Sequence, residues 1–549
     1  MVIHANLYFV SIASNLSQNF VNNGLFVDFD VPNPSTFVFM HTTVAEVDMV
    51  IRGLKNKGTG VADLSPATLK NNKEIFSPHL SFLYNYSIEK ETFPNLLKIA
   101  CVIPGYKAGP RDLIDNYRPI SNLPIVSKIF EKLTLLRLLS FVNRFKLLSD
   151  SQYGFRQGRS ITQAAIRLTA FIPQTLRYRA YCACFFLDLR KAFDTVDHEI
   201  LLKKLYNDGF RGPVHKYLQS YLSNRRQYVR VGDFKSEELV ITKGVPQGFL
   251  LGPLLFCLYI NDIVQAVSEE VVLFADDAAF LLSASSLPLL YSKIQKLFSD
   301  LSNYLKVNKL IPNLKKSKLM FFSRSHVKFQ KLQFDNDEIE WVNEFKYLGL
   351  TLTSSMCFGP HIDKICSRLS QYTGVFYNLN KTLPRNVLLL LYNSFILPHL
   401  ILHIEVWGSS PNVHLNKLVV KQNKLLRSLL GVELVNGIPV MHTADMYRTL
   451  SILTIRNLYK MNMFRFLMMM LRGDLPYFYN ALMRPLEIAH NYNTRSLAFR
   501  HPLITRETER RSIVHQLVIL HEAVSPEVYR DKSLRVALTH FKKTLLESQ

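Results

Sequence analysis

The feature that most restricts the fold of this chain is a pair of adjacent acids enclosed by apolar residues. Asp276 and Asp277 lie between residues 271–275 and 278–282, two runs that contain no charged side chain. Two short apolar runs joined by short polar residues predict a β-hairpin with both carboxylates at its tip. Two like charges in apolar surroundings are costly unless a cation neutralises them. An ordinary hairpin turn is the simpler interpretation of this dipeptide alone, because Asp is a common turn residue.

A third acid follows another apolar run. Residues 181–187 are apolar throughout and lead directly into Asp188, which is the pattern of a buried strand that ends in a carboxylate. Three carboxylates on neighbouring strand ends can hold two Mg²⁺ ions about 4 Å apart. Such a pair of ions activates an attacking hydroxyl and stabilises the leaving oxygen of a phosphoryl transfer. The three acids together therefore favour a divalent-metal site.

The charge of the chain points to a polyanionic partner. Its 549 residues include 66 Lys and Arg against 43 Asp and Glu, a formal net charge of +23, although residues 1–50 contain no Lys or Arg. Nucleic acid is the expected partner for such an excess, and a merely basic protein is the alternative. The length predicts two to four packed units. The six cysteines form no CxxC pairs, so we expect an intracellular protein without a disulfide scaffold or a zinc site.

Membrane segments are not expected. Residues 386–404 lack formal charge, but polar residues and a proline interrupt them, which favours buried helices over a membrane span. The first residues carry no basic region and no clear cleavage site of a signal peptide.

Several short segments resemble, in order along the chain, the motifs of reverse transcriptases from non-LTR (LINE-type) retrotransposons. They are most similar to the jockey-like and chicken-repeat-like elements. The matching segments are NYRPIS at 116–121, QYGFR at 152–156, FFLDLRKAFD at 185–194, KGVPQG at 243–248, FADD at 274–277 and YLG at 347–349. The resemblance is strong from about Gly53 to Leu352 and looser to Ser496. No upstream endonuclease and no RNase H region are recognised.

The resemblance implies an α+β fold of the right-hand polymerase type. Its parts would be fingers, a palm with an antiparallel sheet and a thumb, followed by a mainly helical C-terminal region. We expect an unassigned segment at 1–50, fingers and palm at 51–345, the end of the palm and a helical thumb at 346–440, and a helical basic region at 441–549.

The implied activity is RNA-directed DNA polymerisation by two-metal phosphoryl transfer. The enzyme would extend a DNA 3′-hydroxyl with dNTPs on an RNA template, using two Mg²⁺ ions for which Mn²⁺ can substitute. By similarity, Asp188 and Asp276 are the main metal ligands, the backbone carbonyl of Leu189 adds an oxygen, and Asp277 is a weaker ligand. A catalytically silent retroelement relic that only binds RNA is the alternative.

The resemblance also implies the residues that receive the incoming nucleotide. Lys107 and Arg118 would clamp its triphosphate, which suits a point charge and a bidentate fork. Gln247 and Gly248 would lie against the base pair, and Gly248 would allow a close backbone approach. Phe193 would lie under the sugar and exclude a 2′-hydroxyl. A core residue of the following helix is the alternative role for Phe193.

A lysine and two departures from the family pattern complete the expectations for the site. Lys316 would protonate the departing pyrophosphate. For the neighbouring Lys315 and Lys318, contact with phosphates of the nucleic-acid backbone is an equally good interpretation. Phe249 stands where the family usually has Ser, and we expect its ring to crowd the primer–template groove. Ala278 replaces a common hydroxyl residue after the paired acids.

A basic helical surface is expected to grip the nucleic-acid duplex through its phosphates. It consists of Lys417, Lys421, Lys424 and Arg427. A solvated charged face over a leucine core is an equally good interpretation. The expected partners are an RNA template, a DNA primer and the RNA of the element itself, in cytoplasmic ribonucleoprotein and nucleus. An endonuclease would come from outside this chain.

Overall fold

The chain combines many helices with two main β-sheets. The computed structural model describes residues 2–17, 32–55, 64–177, 180–245, 248–322, 329–432, 434–435, 438–480, 510–524 and 533–548. Up to residue 177 the elements are α1 (Val2–Ser17), α2 (Val44–Arg52), α3 (Pro66–Asn71), α4 (Lys73–Glu89), β1 (Ile99–Tyr106), β2 (Tyr117–Asn122), α5 (Ile125–Arg144) and α6 (Ile161–Arg177).

The middle of the chain carries most of the strands. Between residues 180 and 322 the elements are β3 (Tyr181–Leu187), α7 (His198–Asn207), α8 (Pro213–Leu222), β4 (Arg225–Val231), β5 (Phe234–Lys235), β6 (Leu239–Ile241), α9 (Gly252–Tyr259), α10 (Ile263–Ala266), β7 (Glu270–Phe274), β8 (Asp277–Ala284), α11 (Leu287–Val307) and β9 (Lys318–Phe322).

The remainder is mainly helical. Its elements are β10 (Leu332–Phe334), β11 (Asp337–Ile339), β12 (Glu344–Tyr347), β13 (Leu350–Thr353), α12 (Gly359–Leu379), α13 (Arg385–Leu391), a π-helical turn (Tyr392–Ile396), α14 (Leu397–Ile401), α15 (Ile404–Trp407), α16 (Asn412–Leu430), β14 (Leu434–Val435), β15 (Ile438–Pro439), α17 (Thr443–Leu450), α18 (Ile455–Leu471), α19 (Tyr477–Asn480), α20 (Ile513–Ala523) and α21 (Leu534–Glu547).

An antiparallel four-stranded sheet lies between two hydrophobic cores. Its strand order is β7-β8-β3-β9, and β3 pairs with β8 on one side and β9 on the other. Successive side chains of a strand point to opposite faces, so Phe185 packs into one core and Phe186 into the other. Burial on both faces explains why residues 181–187 are apolar without alternation.

A second sheet is built from strands that are distant in sequence. Its order is β2-β1-β4-β5, with β6 also paired to β4, and β1 runs parallel to β4. Helix α1 covers this sheet, because Ala5 and Phe9 cluster with Val102 and Val229. The buried Asn6 amide also donates to the Glu237 carbonyl at 2.8 Å. Helix α1, in the segment that the sequence left unassigned, is therefore packed on this sheet through Ala5, Asn6 and Phe9.

Two helices differ from the sequence-based expectation. The helix expected around Phe193 begins only at His198, where the Asp197 carboxylate accepts hydrogen bonds from the first-turn N–H groups. Phe193 therefore lies in the turns before α7. The second is the mainly apolar segment of residues 253–267, whose pattern predicts one helix; it forms two, α9 and α10, with residues 260–262 between them. None of the described helices has the length and apolarity needed to cross a bilayer.

Candidate active site

The acidic hairpin forms, but its turn is shifted by one residue from the expectation. Phe274 pairs with Asp277, so the two turn residues are Ala275 and Asp276, and Asp277 is the first residue of β8. The prediction that both acids form the tip is therefore wrong. Ala275 adopts a φ of 58°, a left-handed conformation that is uncommon for a residue with a side chain. Of the two adjacent acids, Asp276 therefore lies in the turn and Asp277 in a strand.

Asp188 is held by one short segment that follows α11. Asn313 donates its backbone N–H to the Asp188 carbonyl and its side-chain amide to Asp188 Oδ2, both at 2.7 Å. The Asp188 N–H in turn donates to Ser317 Oγ at 3.1 Å. One turn thus fixes the backbone and one carboxylate oxygen of Asp188. Leu189 continues this contact through a bridge to Pro312 and is buried.

The three carboxylates repel one another. Asp188 directly follows Leu187, which pairs with Ala278 on β8, so the strand ends that carry the acids are neighbours. Burial raises the pKa of Asp276, and the negative charge of Asp188 raises it further. Burial, Asp276 and Asp188 raise the pKa of Asp277 to about 6. The site therefore concentrates negative charge in a partly desolvated place, where a cation is favoured.

Asp276 and Asp277 have different charged neighbours. Arg118 and Lys107 partly offset the raised pKa of Asp276, and neither is among the groups that shift Asp277. Asp277 instead contributes to raising the pKa of the buried Tyr347 hydroxyl, after burial and Cys184. Asp276 therefore interacts electrostatically with the basic residues, whereas Asp277 interacts with Tyr347, which belongs to the core that contains Phe186.

The β1–β2 hairpin brings basic side chains to the acids. Arg118 lies on β2 opposite Gly105, and the Lys107 N–H just beyond β1 donates to the Asn116 carbonyl at 2.9 Å. Burial lowers the pKa of Lys107, and Lys316 and Arg118 lower it further, while Asp188 raises it. The structure thus places Lys107 within electrostatic reach of Asp188, and it places Arg118 and Lys316 within electrostatic reach of Lys107.

Two residues beside the acids were not singled out from the sequence. Lys191 also shifts Lys107 and forms an ion pair with Asp115 at 3.3 Å, and Asp115 accepts a hydrogen bond from Tyr8 of α1. Asn313, which holds Asp188, is the other. Lys191 stands inside the matching segment 185–194 and Asn313 stands close before Lys316, so their positions relative to those residues were the signal that could have identified them.

Phe193 is half-buried in a group of three aromatic rings. Its ring stacks on Phe256, with centroids 4.4 Å apart, and meets the edge of Phe155 at 6.4 Å. Its carbonyl accepts the Val245 N–H at 2.8 Å. Phe193 therefore connects the segment that follows Asp188, to which it belongs, with the loop that leads to Gln247.

Gly248 and Phe249, at the start of the loop after residue 247, pack against β2 and β4. Gln247 lies outside the described residues, but Gly248 has a φ of 111°, and a Cβ there would meet the Ser121 carbonyl at 2.3 Å. Phe249 is 4% exposed, and the buried Arg225 guanidinium lies 4.4 Å from its ring centroid. The Phe249 ring is therefore packed in the interior, and the expectation that it crowds the groove is wrong.

The basic residues of α16 form a separate surface. This helix buries its leucines against α12, α17 and α18. Lys417 and Lys424 are exposed, Lys421 and Arg427 are partly exposed, and Lys417 forms an ion pair with Asp363 of α12 at 3.0 Å. The most extensive contacts of α16 are with other helices, above all α12.

The donor set around Asp188 suits a hard divalent cation. In the described ranges no three His, Cys, Asp or Glu residues are gathered closely enough to hold a metal ion by side chains alone. One carboxylate oxygen of Asp188 accepts a hydrogen bond from Asn313 and the other remains for a cation. Asp276 lies within electrostatic reach of Asp188, Arg118 and Lys107. Two carboxylates supplemented by backbone oxygen and water fit Mg²⁺, which retains several waters in proteins.

Comparison with known proteins decides the family of the central region. Residues 106–352 match the family model described as reverse transcriptase (RNA-dependent DNA polymerase). Residues 106–352 are a reverse transcriptase domain. This domain contains Asp188, Asp276, Asp277, Lys107 and Arg118.

Curated relatives come from non-LTR retrotransposons. The chain is 29% identical over 401 residues to the probable RNA-directed DNA polymerase from transposon BS of Drosophila melanogaster, an alignment that covers 70% of this chain and 44% of the relative. It is 30% identical over 426 residues to the RNA-directed DNA polymerase from mobile element jockey of the same species, covering 75% of this chain and 46% of the relative. The chain thus spans less than half the length of these relatives, and its reverse transcriptase domain is similar to those of non-LTR retrotransposons.

Proposed function

We propose that the chain is an RNA-directed DNA polymerase of a non-LTR retrotransposon, which extends a DNA 3′-hydroxyl with dNTPs on an RNA template. The observation that carries this proposal is the meeting of Asp188 and Asp276 on neighbouring strand ends, beside Lys107 and Arg118. Carboxylates facing basic side chains are what a bound metal–triphosphate complex requires. The names of the relatives support the same reaction.

In this proposal Asp188 and Asp276 hold the metal, Leu189 adds its carbonyl oxygen, and Asp277 has a lesser part. Two bound Mg²⁺ ions would supply activation of the 3′-hydroxyl and neutralisation of charge on the reacting phosphate. Asn313 occupies one oxygen of Asp188, so the other oxygen would bind the metal.

The basic residues have distinct parts. Lys107 and Arg118, on adjoining strands of one hairpin, would bind the triphosphate, Arg118 by its bidentate fork. Lys191, held near Lys107 by Asp115, would add a further positive charge. Lys316, in the turn that wraps Asp188, would give a proton to the departing pyrophosphate.

We further propose that the layers of the fold correspond to the parts of a right-hand polymerase. We assign the four-stranded sheet to the palm and the five-stranded sheet, with α1 packed on it, to the fingers. Helices α12 and α16 would form the thumb, and the basic face of α16 would contact duplex phosphates with little sequence preference. The partners would be the template RNA, the DNA primer and dNTPs.

The proposal is tested by removing one metal ligand at a time. Asp188→Asn and Asp276→Asn should each lower primer extension on poly(rA)–oligo(dT) with Mg²⁺ by at least about 100-fold, because charge stabilisation in the transition state is lost. Binding of the primer–template should stay within about threefold of wild type, since the phosphate contacts remain.

Asp337→Asn is the matched control, because Asp337 is an exposed acid on β11, remote in sequence from the site. It should leave extension unchanged. Retained activity in Asp188→Asn would refute the assignment of the metal site. A wild-type chain that binds primer–template but does not extend it would instead support the RNA-binding relic.

A further inference from the structure

A short segment runs beside the acidic hairpin and is bonded to it along its length. The Leu273 N–H donates to the Ser151 carbonyl at 2.9 Å, and the Tyr153 N–H donates to the Leu273 carbonyl at 2.8 Å. Gln152 thereby forms a parallel bridge with Leu273 of β7. Residues 151–154 thus act as an additional edge of the four-stranded sheet and lead directly to the turn that carries Asp276.

The side chain of Gln152 closes the end of this edge. Gln152 is 1% exposed, and its Oε1 accepts two backbone hydrogen bonds, from Gly154 N–H at 2.8 Å and from Ala275 N–H at 3.0 Å. Among the described residues its Nε2 meets no acceptor. The amide is therefore used through its oxygen, which connects the segment to the first residue of the turn.

Gly154 makes this connection sterically possible. A Cβ at position 154 would lie 2.4 Å from the Ala275 nitrogen, a distance that no Cβ tolerates. Any residue other than glycine at position 154 would push the turn away from the segment. The close approach and the hydrogen bond act at the same atom, the Ala275 nitrogen.

Ala275 is the residue of the turn that needs support. Its φ of 58° is unfavourable for alanine, and such conformations persist only where surrounding contacts hold them. Asp276 is the next residue, so the backbone of Ala275 sets where the Asp276 carboxylate lies. Loss of the Ala275 hydrogen bond would allow the turn to relax and move that carboxylate relative to Asp188.

We propose that Gln152 is a positioning residue for the metal site, which holds the strained Ala275 backbone so that Asp276 faces Asp188. This inference rests on the proposed function for its effect on polymerisation, but its effect on cation binding is independent of that activity. Residues that orient metal ligands typically contribute about 10–100-fold to metal affinity or activity.

The first comparison is between two buried glutamines. Gln152→Met keeps the length of the side chain and removes the acceptor. Gln163→Met is the control, because Gln163 on α6 is also buried and accepts a backbone hydrogen bond, from Ser160 N–H at 3.2 Å, but touches neither β7 nor the turn through any hydrogen bond of its side chain.

Gln152→Met should raise the Mn²⁺ concentration for half-saturation about tenfold, measured by electron paramagnetic resonance of free Mn²⁺ without nucleotide or primer. It should lower kcat for primer extension by a similar factor, with primer–template affinity within twofold of wild type. Gln163→Met should change neither quantity by more than about twofold, although both variants lose some thermal stability.

A second variant separates positioning from general stability. Glycine adopts positive φ without strain, so Ala275→Gly should make the turn less dependent on Gln152. The double variant Gln152→Met/Ala275→Gly should therefore bind Mn²⁺ within about threefold of Ala275→Gly alone. A merely structural role of Gln152 predicts no such recovery, because glycine adds no packing.

The outcomes distinguish the two proposals. Equal Mn²⁺ affinities of Gln152→Met and Gln163→Met, or no recovery in the double variant, would overturn the role of Gln152. A wild-type chain that binds Mn²⁺ but extends no primer would overturn the proposed polymerase and leave the Mn²⁺ comparison valid. A wild-type chain that binds no Mn²⁺ would overturn the positioning role as well.

Discussion

Among single residues, Phe193 has the most specific surroundings. It is half-buried, one ring neighbour is stacked and the other is edge-on, and its backbone is bonded to the loop that follows residue 243. Because α7 begins only at His198, Phe193 is not a member of the apolar face of that helix. The ring also packs against the core that contains Phe185, so the sugar-excluding role that the resemblance implies stays a prediction, with a core role as its alternative.

Phe193→Val should therefore admit ribonucleotides. Removal of the ring opens space for a 2′-hydroxyl, and relief of such a clash typically changes discrimination by about 10–100-fold. The measurement is the ratio of rNTP to dNTP incorporation efficiency in the folded variant. Phe155→Val, which trims the neighbouring exposed ring, should leave this ratio unchanged. Unaltered discrimination in Phe193→Val would show that the ring is only a packing residue.

Among elements, the loop of residues 248–251 depends on buried charge beneath it. The Leu250 N–H donates to Glu131 Oε2 at 2.7 Å, and the Tyr221 hydroxyl donates to Glu131 Oε1 at 2.6 Å. Burial raises the pKa of Glu131, and the positive charge of Arg225 opposes this rise. Arg225 in turn lies against the Phe249 ring, so the loop is anchored by one buried acid, one buried base and one aromatic ring.

Phe249→Ser should destabilise the protein without improving primer–template binding. Truncation of a buried Phe costs about 3–5 kcal/mol, and loss of the cation–π contact is part of that cost. Phe249→Leu, which keeps apolar volume, should cost about 1 kcal/mol. Urea unfolding measures the stability, and fluorescence anisotropy of a labelled primer–template measures the binding. Tighter binding by Phe249→Ser would mean that the ring occupies the groove after all.

At the scale of the whole molecule, two buried histidines join the strands to the helical C-terminal part. His361 of α12 accepts the Thr351 N–H through Nδ1 at 3.3 Å, and His403 Nε2 donates to the Leu348 carbonyl at 2.9 Å. Burial, the neighbouring His403 and Lys364 lower the pKa of His361 to about 4. Burial also lowers the pKa of His403. Both side chains are therefore neutral at pH 7.

This junction should be sensitive to acid. The folded pKa of His361 lies below the unfolded value near 6.5, so the unfolded chain binds more protons between these pH values, and stability is lost as pH falls through this window. The loss for His361 alone is about 2 kcal/mol by pH 5. Trp407 is buried, and its ring centroid lies 5.9 Å from that of His361. Its fluorescence provides a signal for urea unfolding between pH 7.5 and 5.

His361→Asn should flatten this dependence, because the Asn oxygen can accept the Thr351 N–H without titrating. His79→Asn, on the exposed face of α4, is the control and should retain the wild-type pH dependence. An equally steep dependence in His361→Asn would assign the acid sensitivity to other groups.

The sequence alone determined the features that arise from local pattern. The continuous apolar run of residues 181–187 predicted β3 with its bounds, because a strand buried on both faces needs no alternation. The acids beside apolar runs indicated the site, and the order of motifs indicated the family. Residues 1–50 gave no such pattern, since α1 is stabilised by β1 and β4, which are distant in sequence.

Only the tertiary structure decided which side chains meet. The pairing of Phe274 with Asp277 moved the turn to Ala275 and gave the two adjacent acids different neighbours. Strand register is set by contacts across the sheet, and a shift of one residue exchanges the faces of a strand. Similarly, Phe249 in the sequence is only a bulky residue beside glycine, and the buried Arg225 beneath it decides its role. The local sequence thus determines which chemistry is available, whereas contacts between distant segments determine where it is directed.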